Sequence, residues 1–347
     1  MDKTVILAVA GSGKTTHIVN SLSPDSRSIL ITYTDNNYNN LRTKILCKFG
    51  YFPENIALYS YFTFLYKFCF KPFLWLETRA KGINYEVPPS WTLRLRRDSR
   101  DYYFDKHNRL YHNRIAKLLE VFDVLALINH RLEKYFEKLF IDEIQDFAGH
   151  DFNFLKSISE SNLNLLFVGD FYQHTFDTSR DGNINKNLHV ELETYIGKLQ
   201  QMGLVVDCET LSKSYRCSPT VCSFISQGLG IEMDSHKNEE TTIHIIDTVD
   251  EADRILKCNE TIKLFYKEHY KYACFSRNWG DSKGEDHYTD VCVVLNKNTF
   301  KMYQKKKMYE LKPRTRNKLY VACSRARSNL YLVPEELYKK SLKTCSL

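Results

Sequence analysis

An apolar run, Thr4 to Ala8, leads into Gly11-Ser12-Gly13-Lys14-Thr15 and then into a helical stretch. That order limits the chain to a narrow set of folds. Glycines let backbone N–H groups curl around phosphate oxygens, and a helix N-terminus directly after the loop adds partial positive charge. Lys14 is expected at the β- and γ-phosphates of a nucleotide and Thr15 on Mg²⁺, with Ala10, Gly11, Ser12, Gly13 and Thr16 completing the cradle. The strict pattern has glycine where Ala8 stands. The bland alternative is a plain glycine turn, and the Gly-Lys-Thr triplet in this context argues against it.

A second feature has the same logic. Leu139-Phe140-Ile141 runs into Asp142-Glu143-Ile144-Gln145-Asp146, placing two carboxylates directly after an apolar strand. Asp142 is expected to bind Mg²⁺ through water, and Glu143 to orient and deprotonate an attacking water. Such acids are often solvated cap residues. Beside a phosphate loop, and followed by Gln145, they read as the hydrolytic half of one site.

Short β-branched runs alternate with helical stretches along the chain, which predicts an α/β fold with largely parallel sheets. The expected strands are Thr4 to Ala8, Ser28 to Thr32, Lys138 to Ile141 and Leu165 to Val168 in the first half. In the second half they are Thr242 to Ile246, Tyr272 to Phe275, Val291 to Leu295 and Leu330 to Val333. Between about 68 and 135 the rhythm breaks into an Arg-, Tyr- and Phe-rich stretch, read as a mostly helical insertion. Its Arg94, Arg96, Arg97, Arg100, Tyr102, Tyr103 and Arg114 are candidates for duplex or strand contact, against the alternative of a solvated basic face. Asp181 to Asn187 is read as a polar loop.

The 347 residues suffice for two domains without covalent staples, and the ten cysteines show no paired Cys-x-x-Cys spacing, so thiols rather than zinc are expected. A net charge of +7 suits a polyanionic partner. Neither a signal peptide nor an apolar run of about eighteen residues is present, so a cytoplasmic protein without a membrane partner is expected.

The remaining motifs carry a resemblance. Asp142-Glu143-x-Gln145-Asp146, then Val168-Gly169-Asp170-x-x-Gln173, resembles superfamily 1 helicases of the UvrD/Rep type. Leu211-Ser212-Lys213-Ser214-Tyr215-Arg216 is similar to that family's Tyr-Arg motif, Ser282-Lys283-Gly284-Glu285-Asp286 to its Lys-Gly motif, and Val321-Ala322-Cys323-Ser324-Arg325-Ala326 to its last motif, with Ser324 replacing threonine. Ile31-Thr32-Tyr33-Thr34 is similar to the first nucleic-acid motif, and Tyr61-Phe62-Thr63-Phe64 sits loosely where a second is expected.

The resemblance implies two RecA-like lobes, 1–210 with the insertion and 211–347, closing on one ATP with Mg²⁺. Gln173 would sense the γ-phosphate, Arg216 contact it, and Arg325 act as arginine finger. Asp286 would bind ribose, with Glu285 next in line. Thr32, Tyr33, Thr34, Phe64 and Tyr172 would contact single-stranded DNA (or partial duplex), with Phe171 and Phe176 as further stacking candidates. Movement along the strand would run 3′ to 5′.

Two departures stand out. Only Met1, Asp2 and Lys3 precede the first strand, where the family carries an adenine-reading glutamine. The interval 218–278 reads as core second-lobe structure in place of the family's large accessory domain. Two alternatives remain open: a DNA-sensing regulatory ATPase subunit partnered with a nuclease, as in antiphage systems, and a non-catalytic binding module. The intact Lys14, Asp142, Glu143 and Arg325 argue against the second.

Overall fold

The computed structural model of the chain describes residues 2–175 and 184–344, with side chains to residue 340. Phe176 and Asp181 to Asn183 lie outside the described residues. The chain divides into two compact units. One comprises Met1–Leu7, Lys14–Gly169 and Phe176–Asp207, the other Ala8–Gly13, Asp170–Thr175 and Cys208–Leu347.

The first unit holds strands β1 (Lys3–Leu7), β2 (Ser28–Thr32), β3 (Ile56–Ser60), β4 (Gly82–Asn84), β5 (Arg109–Tyr111), β6 (Lys138–Asp142), β7 (Asn164–Gly169) and β8 (Val205–Asp207). Six of them form one sheet in the order β3-β2-β6-β7-β1-β8, parallel at every pairing. Central strands of such a sheet are covered on both faces, which favours near-continuous apolar runs. Ser-Ile-Leu-Ile-Thr of β2 is accordingly buried throughout. Helix α1 (Lys14–Asn20) follows the glycine loop. Helix α2 (Asp35–Phe49) starts where the Thr34 hydroxyl accepts from the Asn37 N–H and stops at Gly50, whose φ is 77°. Leu7 pairs with Gly169, and Asp142 with Val168, so the carboxyl ends of β1, β6 and β7 lie along one edge of the sheet. Ligands of open α/β sheets bind at such an edge.

The stretch expected to be a helical insertion contains the helices Lys71–Thr78, Ile115–Val121 and Leu125–Tyr135, and also the short parallel pair β4–β5. Several of its basic and aromatic residues are structural, which corrects their reading as strand contacts. Tyr102 and Tyr103 are buried, and so is Arg114. The Arg114 guanidinium lies 3.9 Å from the Tyr102 ring centroid and donates to Thr92 Oγ1 at 3.0 Å. Burial pushes this guanidinium down to about 10, still charged at neutral pH. Arg97 and Arg100 lie over the Tyr102 and Phe104 rings but are exposed, so the correction does not extend to them.

The second unit holds β9 (Lys213–Ser214) paired with β10 (Asp234–Ser235), and β11 (Ile243–Ile245), β12 (Ile262–Phe265), β13 (Ser276–Asn278), β14 (Val291–Leu295) and β15 (Leu330–Pro334). The last five form a parallel sheet in the order β11-β15-β14-β12-β13. Successive side chains of a strand face opposite ways. Val291, Val293 and Leu295 therefore join a core with Trp279 and Tyr320, while Cys292 and Val294 join one with Ala252 and Tyr338.

Two differences from expectation have local causes. β12 is hidden in the sequence by Lys263, which is fully buried. Its ammonium donates to the carbonyls of Thr261, at 3.1 Å, and Cys258. The segment Tyr272 to Phe275 is no strand. Tyr272 instead stacks on Phe265, with centroids 4.1 Å apart, and covers the sheet from outside. No helix among the described residues is long and apolar enough to cross a membrane.

Candidate functional site

In the first unit the paired acids sit where β6 ends. Asp142 and Glu143 are both buried. Glu143 adopts the left-handed conformation, φ 60°, and its N–H donates to Asp142 Oδ1 at 3.1 Å. A non-glycine residue there is strained unless its surroundings fix it. Gln145 supplies one such restraint, because its Nε2 donates to Glu143 Oε2. Gly169 makes room for this turn: a Cβ there would lie 2.6 Å from Ile144 Cγ2.

Lys14 and Thr15, half-buried, open α1, and the exposed Thr16 hydroxyl accepts from Lys44 Nζ at 2.7 Å. Thr32 ends β2 with its hydroxyl buried and without a hydrogen-bond partner among the described residues. Thr34 caps α2. Tyr33 is half-buried, its ring edge-on to Phe62 at 5.5 Å. Phe64 corrects the expectation placed on it. It is fully buried, stacked on Phe68 at 5.4 Å, and offers no face to a strand.

The second unit gathers most of the other candidates. The loop Ala8–Gly13 is tied to the following segments by backbone: Val9 N–H donates to Leu211 O at 3.0 Å, and Tyr215 N–H to Gly11 O at 2.9 Å. Gly11 has φ 73°, and a Cβ on it would lie 2.6 Å from Arg216 Cβ. Only glycine admits that approach. The Tyr320 hydroxyl accepts from Ala10 N–H at 2.8 Å and donates to Asp170 Oδ2 at 2.9 Å. Gln173 Nε2 donates to the same oxygen at 2.8 Å. Burial, with Asp170 beside it, holds the Tyr320 phenol far above its usual range, so it stays protonated. A relay of three hydrogen bonds thus joins the loop to Gln173.

Arg216 and Arg325 converge nearby. Arg216 Nη1 donates to Ser324 O at 3.2 Å, and its Nη2 pairs with Asp286. Arg325 is almost wholly buried; its Nη1 donates to Glu285 O at 3.2 Å and lies 3.4 Å from Asp286 Oδ1. Desolvation, with Arg216 adding to it, pushes the Arg325 guanidinium down to about 10, still a cation at neutral pH. Asp286 therefore holds the two guanidiniums together.

Among the stacking candidates of this unit, Phe171 is buried, while Tyr172 is half-buried beneath the Arg316 guanidinium, 5.4 Å from its ring centroid. Two features escaped the sequence reading. Tyr215 is exposed, stacked on His236 with centroids 3.9 Å apart, and 3.7 Å from where a Cβ on Gly13 would stand. Its place beside Arg216 was the available signal; nothing marked His236. Tyr320, directly before the last motif, carried no signal of its own.

The residues fit a magnesium nucleotide. Ser12 Oγ is buried without a hydrogen-bond partner among the described residues. The Thr15 hydroxyl and the Asp142 carboxylate are hard oxygen donors of the kind Mg²⁺ takes.

Two parallel-sheet units carrying a Gly-Lys-Thr loop and an acidic strand end define the RecA-like P-loop class. Residues 106–333 match the viral superfamily 1 RNA helicase core domain, and the chain belongs to that family. Superfamily 1 is the group the motifs pointed to, and the matching family within it is the viral one. No curated protein matches the chain. Among solved structures, the arterivirus nonstructural protein 10 helicase in complex with DNA is similar at 14% identity with a TM-score of 0.50, over 97% of this chain and 62% of that one. Another structure of the arterivirus helicase gives 13% and 0.49, over 97% and 61%. The PRRSV helicase gives 12% and 0.46, over 96% and 52%. The chain thus spans about three fifths of the length of the arterivirus helicase.

Proposed function

We propose that the chain is an ATP-driven helicase motor that moves along a single nucleic-acid strand. The observation that carries this reading is the relay Ala10–Tyr320–Asp170–Gln173, with Arg216 and Arg325 bound to one carboxylate. These contacts join phosphate-loop, sensor, arginine and carboxylate residues from five separate stretches of sequence. Lobes 1–210 and 211–347 are assigned as the two moving parts, acting on one ATP.

In this reading Lys14 and the loop backbone would hold the β- and γ-phosphates, and Thr15 and Asp142 would hold Mg²⁺. The ion, when bound, neutralises charge on the phosphate oxygens. Glu143 takes a proton from the attacking water, whose oxygen bonds to the γ-phosphorus. The bond to the bridging oxygen breaks, releasing ADP and inorganic phosphate. Gln173 and Arg216 report the γ-phosphate, and Arg325 offsets charge in the transition state. Asp286 positions both arginines, with ribose contact as the further role the resemblance implies. Tyr215 on His236 adds a stacking surface for a base. The UvrD/Rep likeness assigns Thr32, Tyr33, Thr34 and Tyr172 to the strand surface.

Single-stranded DNA and 3′ to 5′ movement are the finer reading, supported by the UvrD/Rep likeness, whereas the family's own name specifies RNA. Streptavidin displacement from biotinylated oligo(dT) and oligo(U) tests it. The expected result is ATP-dependent release from 5′-biotinylated oligo(dT), faster than from the 3′-biotinylated strand. Hydrolysis without displacement from either end would replace the motor with a DNA-sensing regulatory ATPase.

A further inference from the structure

Tyr33 is the ring the sequence offers for base stacking, yet it is largely enclosed. Phe62 meets it edge-on, and Tyr61 lies at 6.1 Å. The cluster continues outward. Phe62 is edge-on to His112 at 5.0 Å and to Tyr85 at 5.9 Å, and Tyr85 stacks on His112 at 5.6 Å with 28° between planes. The ring that this cluster turns to solvent is Tyr85, 61% exposed.

Its position is fixed by the fold. Asn84 pairs with Tyr111 in the β4–β5 ladder, which carries Tyr85 and His112 to the next level of the same pair. Asn84 Nδ2 donates to Asp105 Oδ2 at 2.9 Å, its Oδ1 accepts from Glu86 N–H at 2.9 Å, and its carbonyl lies 3.2 Å from His112 Nδ1. Burial holds His112 below the usual histidine range, so the ring is neutral and its Nδ1–H donates to that carbonyl. An exposed tyrosine braced from behind and from the side loses little freedom when a flat ligand settles on it. Burial, with the Asp35 carboxylate adding to it, raises the Tyr85 phenol, and a carboxylate there is a poor setting for phosphate and an indifferent one for a base.

We infer that Tyr85, backed by His112, is a base-stacking platform contributed by the insertion, extending the single-strand surface that begins at Thr32–Thr34. The inference rests on the proposed binding of a single strand by the first unit. It names the contact as a base of single-stranded nucleic acid, made without a phosphate partner.

Fluorescence anisotropy tests it with labelled oligo(dT), oligo(U) and an abasic strand of equal length. Aromatic–base stacking is strong enough that Tyr85→Ala should weaken oligo(dT) and oligo(U) binding roughly tenfold. Tyr85→Phe should restore it, the slope against salt should not change, and the abasic strand should bind both proteins alike. Loss on one oligomer only would assign the platform to that sugar type. Tyr85→Ala binding both strands within a factor of about two of the wild type, or losing abasic binding equally, would overturn the inference and leave the motor reading standing. A wild type that binds no strand would overturn both.

Discussion

Tyr320 shows how much a single hydroxyl can hold. It is the acceptor for a buried loop N–H and a donor to a buried carboxylate. Tyr320→Phe keeps the ring but leaves the Ala10 N–H without its acceptor. The expected cost is about 1–3 kcal/mol, read as a lower urea midpoint with unchanged slope. Gly169→Ala acts differently, by overpacking. The added methyl meets Ile144 at 2.6 Å, in the turn that carries Glu143 and Gln145. A loss of about 1–3 kcal/mol is expected, with hydrolysis falling further than stability alone explains. At this scale, sequence reasoning proposes roles where chemistry is contiguous. Lys14 and Thr15, or Asp142 and Glu143, announce themselves by their neighbours. The Tyr320–Asp170 bond joins residues 150 positions apart, and no local pattern encodes it. Phe64 failed for a related reason, since an aromatic in a motif-like position reads the same whether it faces solvent or core.

At the scale of elements, the strands with unbroken apolar runs, β2 and β14, could be read to the residue. β3 and β8 are edge strands with partly exposed side chains, and β12 is interrupted by Lys263, so none had a legible pattern. Ser218 accepts from Val221 N–H at 3.3 Å and precedes Pro219 at the first position of the helix Pro219–Leu229. Ser218→Ala should cost about 1 kcal/mol, measured by thermal unfolding. The helices Ile115–Val121 and Gly149–Ser159 are linked by His150 Nδ1 and Glu120 Oε2, 3.1 Å apart. Burial, with Lys117 adding to it, holds His150 below its usual range despite that carboxylate, and burial does the same to His112. The unfolded chain therefore takes up protons first. Stability from these histidines is full above about pH 6.5 and is lost as pH falls below it. The melting temperature should drop from pH 6.5 to 5, and His150→Gln should flatten that slope; a variant with the wild-type slope would contradict the assignment.

For the whole molecule, the α/β class with parallel sheets was legible in the alternation of β-branched runs with helical stretches, and the RecA-like lobes in the resemblance that the ordered motifs carry. What a single sequence could not supply was the assembly of the motifs by side chains between them: the double pairing of Asp286, the relay through Tyr320, and the stacked Tyr215–His236 and Tyr85–His112 pairs. In the proposed motor, Glu143 drives hydrolysis coupled to a nucleic-acid strand. The most direct measurement is steady-state ATP hydrolysis by the wild type and Glu143→Gln, each with and without single-stranded oligomers. Strong stimulation by the strand is expected in the wild type, and a loss of about a hundredfold or more in the variant, which should still bind the strand. Hydrolysis indifferent to the strand, or undiminished in Glu143→Gln, would contradict it.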